Sequence, residues 1–350
     1  MPTLYLSEQY SVVKLDGETL RVEIPEDKET GRERRMVRVP LNKVEQVVVQ
    51  GEITLTSSAL GALLDRRICT HFLTRNGRSR GALTPDPTRN AALRIAQYGA
   101  FCDVGRRFKL ARACIDGKLR NLRTQVLRAN RGREDARLTA SVQGLRDAHR
   151  DLHLLPVPTS VDANDRMHGM GAIFGCEGYG SAAYWSAWGA LLNDEWQWHG
   201  RQRQPPPDPV NALLSYGYVI LTSQVLSQLA VVGLDPYIGF LHRPGFGKPA
   251  LALDLMEEFR PLVVDSTVLT VLNTGALRLK DFRIEPGNVR LTDDGKKIFL
   301  TKLEERFSSE IVHPIFEYRT TYRRCIELQA RLLGKALMGE IPQYPPFIAR

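Results

Sequence analysis

Three segments of the sequence carry side chains that suit a divalent metal ion. Glu177 stands between glycines in Gly-Cys-Glu-Gly, and His242 ends the apolar segment Tyr-Ile-Gly-Phe-Leu-His. Asp254 and Glu257 stand among leucines in Leu-Asp-Leu-Met-Glu-Glu. Carboxylate oxygens favour Mg²⁺ or Mn²⁺, and an imidazole nitrogen shifts the preference towards Mn²⁺. Zinc would be expected with thiolates or several histidines, so the set predicts a Mg²⁺ or Mn²⁺ site.

Each of these segments also has an ordinary structural explanation. Glu177 comes just before a predicted helical run, where the helix dipole favours an acid, and a lone histidine such as His242 is more often structural. Asp254 and Glu257 lie three residues apart, so a helix presents both on one face. Their leucine neighbours make a bare carboxylate costly, although Arg260 offers a salt bridge. The ordered combination, more than any one segment, indicates a metal site.

The charge of the chain favours a polyanionic partner. Lys and Arg number 48 against 39 acids, which gives a net charge of +9, and either nucleic acid or an anionic membrane surface would fit. Arginines crowd one helical stretch, where their planar forks suit phosphate oxygens. Its basic residues are Arg106, Arg107, Lys109, Arg112, Lys118, Arg120, Arg123, Arg128, Arg131 and Arg133. A second group contains Arg319, Arg323, Arg324 and Arg331 beside Tyr318 and Tyr322. Both groups could equally be solvated helix faces.

Cysteine usage and hydropathy favour a cytoplasmic protein without a membrane segment. The five cysteines are scattered and never spaced as Cys-x-x-Cys, which argues against a disulfide scaffold or a zinc ribbon. The N-terminus lacks the basic and apolar regions of a signal peptide. Val210–Leu234 has 25 residues without a charge, but its many Asn, Gln, Ser and Thr side chains favour a core helix over a membrane span.

The elements that must position these side chains begin with a β-rich domain, residues 1–84. Short alternating apolar segments predict strands, namely Leu4–Leu6, Ser11–Leu15, Leu20–Ile24, Val37–Val39, Val47–Val49, Ile53–Leu55 and Cys69–Leu73. Turns are predicted at Asp16-Gly17, at the charged stretch from Glu26 to Arg35, and at Asn76-Gly77. Ser57 is the predicted cap of a short helix over Ala59–Asp65.

A helical domain follows the β-rich domain. Pro85 and Pro87 predict a linker over residues 85–92, and beyond it apolar residues recur at spacings of three and four, the period of a helix. The proline-rich stretch Arg201–Pro209 should break the helices. One late hairpin is predicted, with strands Val289–Leu291 and Lys297–Leu300 around Asp-Asp-Gly. The expected fold class is α+β, a small β-rich N-terminal domain followed by a larger all-α catalytic domain, residues 93–350.

The ordered segments resemble a known family, the CRISPR-associated endonuclease that integrates new spacers, protein one of the adaptation module. The resemblance covers essentially the whole chain. It rests on Gly-x-Glu-Gly at Glu177, on Gly-Leu-Asp-Pro-Tyr-Ile-Gly-Phe-Leu-His ending at His242, and on Leu-Asp-Leu-Met-Glu-Glu-Phe-Arg-Pro from Leu253. Asn-Ala-Leu-Leu-Ser-Tyr-Gly-Tyr from Asn211 and Tyr-Pro-Pro-Phe from Tyr344 support it.

The resemblance implies roles for the acidic and histidine side chains. Glu177, His242 and Glu257 map onto the family's metal ligands, and some members carry aspartate at the position of Glu257. Asp254 maps onto a neighbouring acid that assists at the site, which completes a predicted catalytic set of four. Glu258 is the residue most easily confused with Glu257. The β-rich domain is implied to form a homodimer.

The resemblance also implies DNA contacts and partners. Lys248 in Gly-Lys-Pro is a candidate phosphate contact, and Tyr218, Arg112, Lys118 and Arg323 are further candidates. The expected partners are double-stranded DNA with single-stranded ends, CRISPR repeat DNA, a second copy of the chain and the small CRISPR-associated protein two.

The implied reaction is attack of a DNA 3′-hydroxyl on a phosphodiester of the repeat, which inserts a new spacer. With water as nucleophile, the same site would act as a nuclease, and both reactions are in-line displacements at phosphorus. One alternative is a non-catalytic DNA-binding scaffold subunit of the same complex, and another is a metal hydrolase for small phosphoesters. The intact acids in all three segments count against a decayed scaffold.

Overall fold

The computed structural model describes residues 3–27, 33–86, 90–160, 169–202 and 205–349. The chain divides into two compact units, Met1–Thr88 and Arg89–Arg350. Three sequence predictions fall partly outside the described residues: the charged turn after Glu26, Pro87 of the linker, and the middle of the proline-rich break.

The first unit contains two small sheets and one helix. Its strands are β1 (Thr3–Leu6), β2 (Val12–Asp16), β3 (Thr19–Ile24), β4 (Arg35–Pro40), β5 (Gln46–Gln50), β6 (Thr54–Leu55), β7 (Cys69–Leu73) and β8 (Ser79–Leu83). The helix α1 covers Ser57–Asp65, and a 3₁₀ turn covers Leu41–Lys43. One sheet has the strand order β1-β5-β7-β8, and the other has the order β4-β3-β2-β6. The first is parallel across β1, β5 and β7, whereas β7 and β8 form a hairpin.

Alternation of side chains builds the core of this unit, as the sequence predicts. Leu20, Val22 and Ile24 of β3 are buried while the residues between them are partly exposed, because successive strand residues point to opposite faces. The β7–β8 turn contains Gly77 with φ +83°, the conformation that a glycine adopts at no steric cost. The predicted cap of α1 is wrong, since Thr56 rather than Ser57 accepts the Ala59 N–H.

The second unit is mostly helical. Its helices are α2 (Ala91–Cys102), α3 (Val104–Ala129), α4 (Ala136–Leu154), α5 (Gly171–Ser186), α6 (Trp188–Leu191), α7 (Pro209–Val232), α8 (Ala250–Met256), α9 (Ser266–Asn273), α10 (Asp293–Ser308) and α11 (Tyr322–Met338). A π-helix covers Arg260–Asp265, and 3₁₀ turns cover Asp194–Trp196 and Leu279–Asp281. Two hairpins join β9 (Phe282–Glu285) to β10 (Asn288–Leu291) and β11 (Glu310–Val312) to β12 (Arg319–Thr321). The predicted fold class, α+β with a β-rich N-terminal part and a mainly helical remainder, is confirmed.

Helix α7 is the buried helix that the uncharged segment predicts. Asp208 caps its start, Pro209 occupies the first turn, and Gly233 with φ +95° ends it, which is the usual distribution of these residues. Most of its residues on all sides are buried, including Asn211 and Gln224. In the parts of the chain that the structure describes, helices with the length and apolarity needed to cross a bilayer are absent.

Two local predictions in this unit are wrong. Lys297–Leu300 is helical, because the Thr292 hydroxyl accepts the Gly295 N–H at 3.0 Å and two aspartates follow in the first turn of α10. Those aspartates suit the positive end of the helix dipole, and β10 pairs instead with β9. Glu177 does not precede a helix but lies inside α5.

Helices α3, α4 and α5 approach one another at small residues. A Cβ atom added to Gly144 of α4 would lie 2.7 Å from the Cβ of Ala183 in α5. A Cβ atom added to Gly180 of α5 would lie 3.1 Å from the Cβ of Ala148 and would also press on Leu119 of α3. These close contacts hold α5, which carries Glu177, against α3 and α4.

We expect Gly144→Ala to destabilise the helical unit. Overpacking costs about 1–3 kcal/mol, which exceeds the gain of about 1 kcal/mol in helix propensity on replacing glycine by alanine. Gly99→Ala in α2 is the matched control, because nothing lies within 4 Å of its added Cβ atom, and we expect it to stabilise. Urea unfolding followed by circular dichroism measures both. Equal effects of the two substitutions would contradict the close packing of α4 on α5.

Candidate active site

Side chains from three helices and one loop meet in a small charged cluster. Nζ of Lys118 in α3 lies 2.8 Å from Oε2 of Glu257, at the end of α8, and also pairs with Glu177 in α5. Nε2 of His242, in the loop before α8, lies 3.9 Å from Oε1 of Glu257. The structure therefore brings together the four side chains, with an ammonium group between the two carboxylates. Below, "the charged cluster" means Lys118, Glu177, His242 and Glu257.

Lys118 lies inside this cluster and is only 8% exposed. Burial by itself would lower the pKa of Lys118, but Glu257 and Glu177 outweigh it and raise that pKa above its ordinary value. The side chain is therefore charged at neutral pH. The sequence predicts it as a DNA contact, and the structure places it between the two acids and in the lining of the adjacent cleft.

Both carboxylates of the cluster are ionised at neutral pH. Burial would raise the pKa of Glu257, but Arg260, Lys118 and His242 bring it down to about 2. Nη1 of Arg260 lies 3.3 Å from Oε1 of Glu257. Burial would likewise raise the pKa of Glu177, but Lys118 outweighs it and brings that pKa below its ordinary value. Ionised carboxylates are the form that a hard cation requires.

Asp254 supports His242 from behind. Its side chain is fully buried and accepts hydrogen bonds from the backbone N–H groups of Phe240, Leu241 and His242, at 2.5, 2.9 and 2.9 Å. It also accepts one from Nδ1 of His242 at 2.7 Å. Because a carboxylate only accepts, Nδ1 is the donor, and Nε2 points towards Glu257. Asp254 is therefore a positioning residue in this geometry.

Gly239 in the quoted motif makes this arrangement possible. A Cβ atom at this position would lie 2.7 Å from Oδ2 of Asp254 and 2.6 Å from the carbonyl carbon of Ala250. Only glycine lets the backbone pass this close to α8.

Glu258 points away from the charged cluster, towards the C-terminal tail. It accepts hydrogen bonds from the Tyr344 hydroxyl at 2.8 Å and from the Phe347 N–H at 2.7 Å. Burial raises the pKa of Glu258 to about 8. Two consecutive glutamates thus differ in role, since only Glu257 faces the cluster.

A cleft of about 660 Å³ opens beside the charged cluster. Its lining includes Lys118, Glu177, Arg201, Tyr218, Arg260 and Asp265. The Tyr218 hydroxyl donates to Oδ1 of Asp265 at 2.6 Å, and the Arg260 guanidinium lies over the Tyr218 ring, 4.9 Å from its centroid. A second guanidinium, from Arg201, lies 5.6 Å from the same ring centroid. The cleft thus combines cations and an aromatic ring, groups that bind phosphates and bases.

The remaining predicted DNA contacts lie outside this lining. Lys248 ends the short turn that begins at Gly245, soon after His242, and is partly exposed. Arg112 donates to the Leu155 carbonyl at 3.3 Å, next to the end of α4. Arg323 is 5% exposed, and its guanidinium donates to Gln224 and Glu304, both at 2.6 Å. The Arg323 guanidinium is therefore buried and paired in this structure, and its contact with DNA stays a prediction.

Some residues around the site were not singled out from the sequence as site residues. The Ser181 hydroxyl donates to Glu177 at 2.8 Å, and its spacing of four residues on a helix could have revealed this contact. Arg260 forms the ion pair with Glu257 that its spacing allowed. Arg201 and Asp265 give no sequence signal, because they reach the cleft only through tertiary packing.

Comparisons with known proteins bear on the whole chain. The family model described as "CRISPR associated protein Cas1" matches residues 4–305. The chain is 38% identical to a CRISPR-associated exonuclease Cas4/endonuclease Cas1 fusion of Geobacter sulfurreducens, over 99% of this chain and 60% of that protein. It is 36% identical to CRISPR-associated endonuclease Cas1 3 of Thermus thermophilus, over 99% and 97% of the two chains. It therefore spans about three fifths of the fusion and nearly all of the Thermus protein.

Solved structures share the fold. A casposase bound to an integration product aligns with a TM-score of 0.85 at 23% identity, over 98% of this chain and 92% of that one. A Cas6-RT-Cas1–Cas2 complex aligns with a TM-score of 0.78 at 23% identity, over 99% of this chain and 36% of that one. At such identities the likeness concerns the fold alone. The family match and the two relatives carry the assignment: the chain belongs to the Cas1 family of CRISPR-associated proteins.

Proposed function

We propose that the chain is a metal-dependent DNA endonuclease and integrase that inserts new spacers into a CRISPR array. The observation that carries the proposal is the convergence of Glu177, Glu257 and Nε2 of His242 beside a cleft lined by cationic side chains. Relatives over nearly the whole chain are named Cas1 endonucleases, and a protein of the same fold is a casposase bound to its integration product.

The donor set fits Mg²⁺ or Mn²⁺. Glu177, Glu257 and Nε2 of His242 would hold the ion, because they supply two ionised oxygens and one free ring nitrogen. The ammonium of Lys118 between the carboxylates supports this fit, since the site already accommodates a positive charge there. When bound, the ion would polarise a phosphodiester and stabilise the charge that develops on its oxygens.

The chain's own side chains would position the DNA. Lys118 and Arg260 supply fixed positive charge next to the carboxylates, where non-bridging phosphate oxygens would bind. The Trp185 ring lines the cleft as a surface for bases or sugars, and the Tyr218 ring holds the Arg260 and Arg201 guanidiniums in the same lining. Asp254 keeps the proton of His242 on Nδ1. Positioning and electrostatics of this kind supply most of the catalysis in phosphoryl transfer.

We further propose the partners that the family resemblance implies. These are double-stranded DNA with single-stranded ends, CRISPR repeat DNA, a second copy of the chain held through the β-rich unit, and the small protein Cas2. Proteins of this fold occur in a Cas1–Cas2 complex and with an integration product. The net charge of +9 suits the DNA, and the scattered cysteines suit a reducing cytoplasm.

The rival role is a non-catalytic scaffold in the same adaptation complex. Two ionised carboxylates and a histidine oriented by a third acid count against this role. Replacing buried charges by apolar side chains is often neutral or stabilising, so such a cluster would be readily lost without a function. Strand transfer separates the two roles.

We expect Glu177→Gln and His242→Ala each to lower strand transfer by about 100-fold or more, the usual loss when a group that stabilises transition-state charge is removed. The assay joins a short duplex to a supercoiled, repeat-bearing plasmid with Mn²⁺ and the Cas2 partner. Glu195→Gln, at an exposed acid, is the control and should retain activity. Full activity of Glu177→Gln would exclude the proposed site. Loss of DNA binding in parallel with activity would make both residues structural.

We expect Asp254→Asn to weaken Mn²⁺ binding and lower activity by about 10- to 100-fold, the usual effect of removing a group that orients a metal ligand. The amide nitrogen cannot accept the backbone N–H bonds of the loop, so stability should also fall by about 1–3 kcal/mol. Mn²⁺ affinity, measured by electron paramagnetic resonance on the folded variant, separates the two effects. An unchanged affinity would mean that Asp254 acts only on folding.

We expect Lys118→Met to lower the Tm of the metal-free protein and to enlarge the rise in Tm that Mn²⁺ produces. Glu177 then loses its ion pair with Lys118, whereas Glu257 keeps its ion pair with Arg260. An added metal ion therefore no longer competes with an ammonium group for Glu177. Differential scanning fluorimetry with and without Mn²⁺ measures this. Lys109→Met, at an exposed lysine of the same helix, is the control. A rise no larger than that of the wild type would show that Lys118 and the ion do not share these carboxylates.

A further inference from the structure

A second group of ligand-type side chains lies outside the charged cluster, between α3 and α4. Nε2 of His149 lies 2.6 Å from Oδ1 of Asp116, and Nε2 of His153 lies 2.8 Å from the same oxygen. The three ligand atoms all lie within 4.8 Å of one another. Among the described residues, this is the one group of at least three histidine, cysteine or acidic side chains whose ligand atoms lie this close together. The atoms of the charged cluster are spread more widely.

The helical period explains how the group forms. His149 and His153 are four residues apart on α4, so their rings stand on one face, with centroids 4.7 Å apart. Two histidines at this spacing are a known way for one helix to offer two ligands to one ion. Asp116 adds a carboxylate from α3, the helix that packs against this face of α4.

We propose that Asp116, His149 and His153 form a second metal site, specific for Zn²⁺ or a similar borderline ion. Two imidazoles and one carboxylate are a donor set that zinc binds, with water in the fourth position. Mg²⁺ prefers oxygen ligands and retains its waters, so it would bind poorly here. The site shares no ligand with the charged cluster and does not depend on the proposed function.

The distances show what binding would require. Around a tetrahedral zinc ion with ligands at about 2.0–2.1 Å, neighbouring ligand atoms lie about 3.3 Å apart. The present separations of 2.6 and 2.8 Å would therefore open by about half an ångström. The two histidines can provide this movement, because the side chains of His149 and His153 are 29% and 53% exposed while that of Asp116 is 12% exposed. The same exposure gives the ion access from solvent.

Without a metal, the group is a pair of ordinary hydrogen bonds to one carboxylate oxygen. The other oxygen, Oδ2, lies 3.8 Å from Nη1 of Arg120, which balances the negative charge and weakens the attraction for a cation. Both imidazole nitrogens nevertheless converge on Oδ1, whereas Arg120 lies beside Oδ2. An ion binding between the rings would replace two hydrogen bonds by three coordinate bonds, and each neutral imidazole would then carry its proton on Nδ1 instead of Nε2.

The position of the site suggests a structural effect. Asp116 is two residues from Lys118 on α3, and α4 packs closely on α5, which carries Glu177. An ion held by Asp116 and the two histidines would tie α3 to α4 behind the charged cluster. We therefore expect zinc to stabilise this part of the helical unit without acting as the catalytic ion.

Cobalt is the probe for the test, because Co²⁺ replaces Zn²⁺ and has visible d–d absorption bands. The chelator-treated full chain is titrated with Co²⁺ alone and then with Zn²⁺. We expect intense bands of low coordination number that one equivalent of Zn²⁺ removes. A ligand-to-metal charge-transfer band in the near ultraviolet would instead reveal cysteine thiolates and overturn the assignment.

Substitutions identify the side chains that bind the Co²⁺ ion. We expect His149→Ala and His153→Ala each to weaken Co²⁺ binding at least tenfold, whereas Glu177→Gln and His242→Ala leave the bands unchanged. His199→Ala, at an exposed histidine, is the matched control. The proposal is overturned if the bands survive in both His149→Ala and His153→Ala, or if they vanish only in His242→Ala.

A second measurement guards against misfolding. His153 is half exposed, so its substitution leaves the helix packing intact, and circular dichroism should match the wild type. We expect Zn²⁺ to raise the Tm of the wild type by several degrees and to leave that of His153→Ala nearly unchanged. Equal rises in the two proteins would place the zinc elsewhere and contradict the proposal, independently of any integrase activity.

Discussion

The structure of the helical unit depends on one buried positive charge, the ammonium of Lys118 between Glu177 and Glu257. Burying a charge is costly unless it is paired. Removing one partner leaves the remaining charges with a desolvation cost that no ion pair offsets. The three groups come from α3, α5 and the end of α8. Because none of them is stable alone in the interior, their mutual neutralisation fixes how these three elements meet.

Asp254 also fixes the position of a segment, but it does so by accepting hydrogen bonds from N–H groups. It gathers three backbone N–H groups and one ring N–H from a loop without regular structure, so a single carboxylate defines the path of that loop. Asp254 and Glu257 thus divide the work between them, although only three residues separate them. Asp254 faces the loop and orders the imidazole, whereas Glu257 faces the charged cluster, where Lys118 and Arg260 balance its charge.

Much of the fold could be predicted from local patterns. The alternating side chains of β3 reflect burial of one face of the strand, and the uncharged sequence of α7 reflects burial of the helix on all sides. Asp254 and Glu257 stood out because carboxylates among leucines need a partner, and Glu177 and His242 stood out only in combination with them. The Thr292 cap determines where α10 starts, so the predicted hairpin strand Lys297–Leu300 is helical. Tertiary packing decided the burial of Arg323, the entry of Arg201 into the cleft and the meeting of Asp116 with His149, 33 residues apart in sequence.

The π-helix at Arg260–Asp265 has a consequence for how this site can change in evolution. In an α-helix, residues five apart point in different directions, whereas the wider π-turn bonds residue i to i+5 and aligns them. Arg260 and Asp265 can therefore both line the cleft. Deleting one residue within it would restore the α-helix and leave the residues that follow nearly in place, but Arg260 and the residue before Ser266 would then point in different directions. Point substitutions can adjust this wall of the cleft gradually, but a change in its length would exchange one lining for another in a single step.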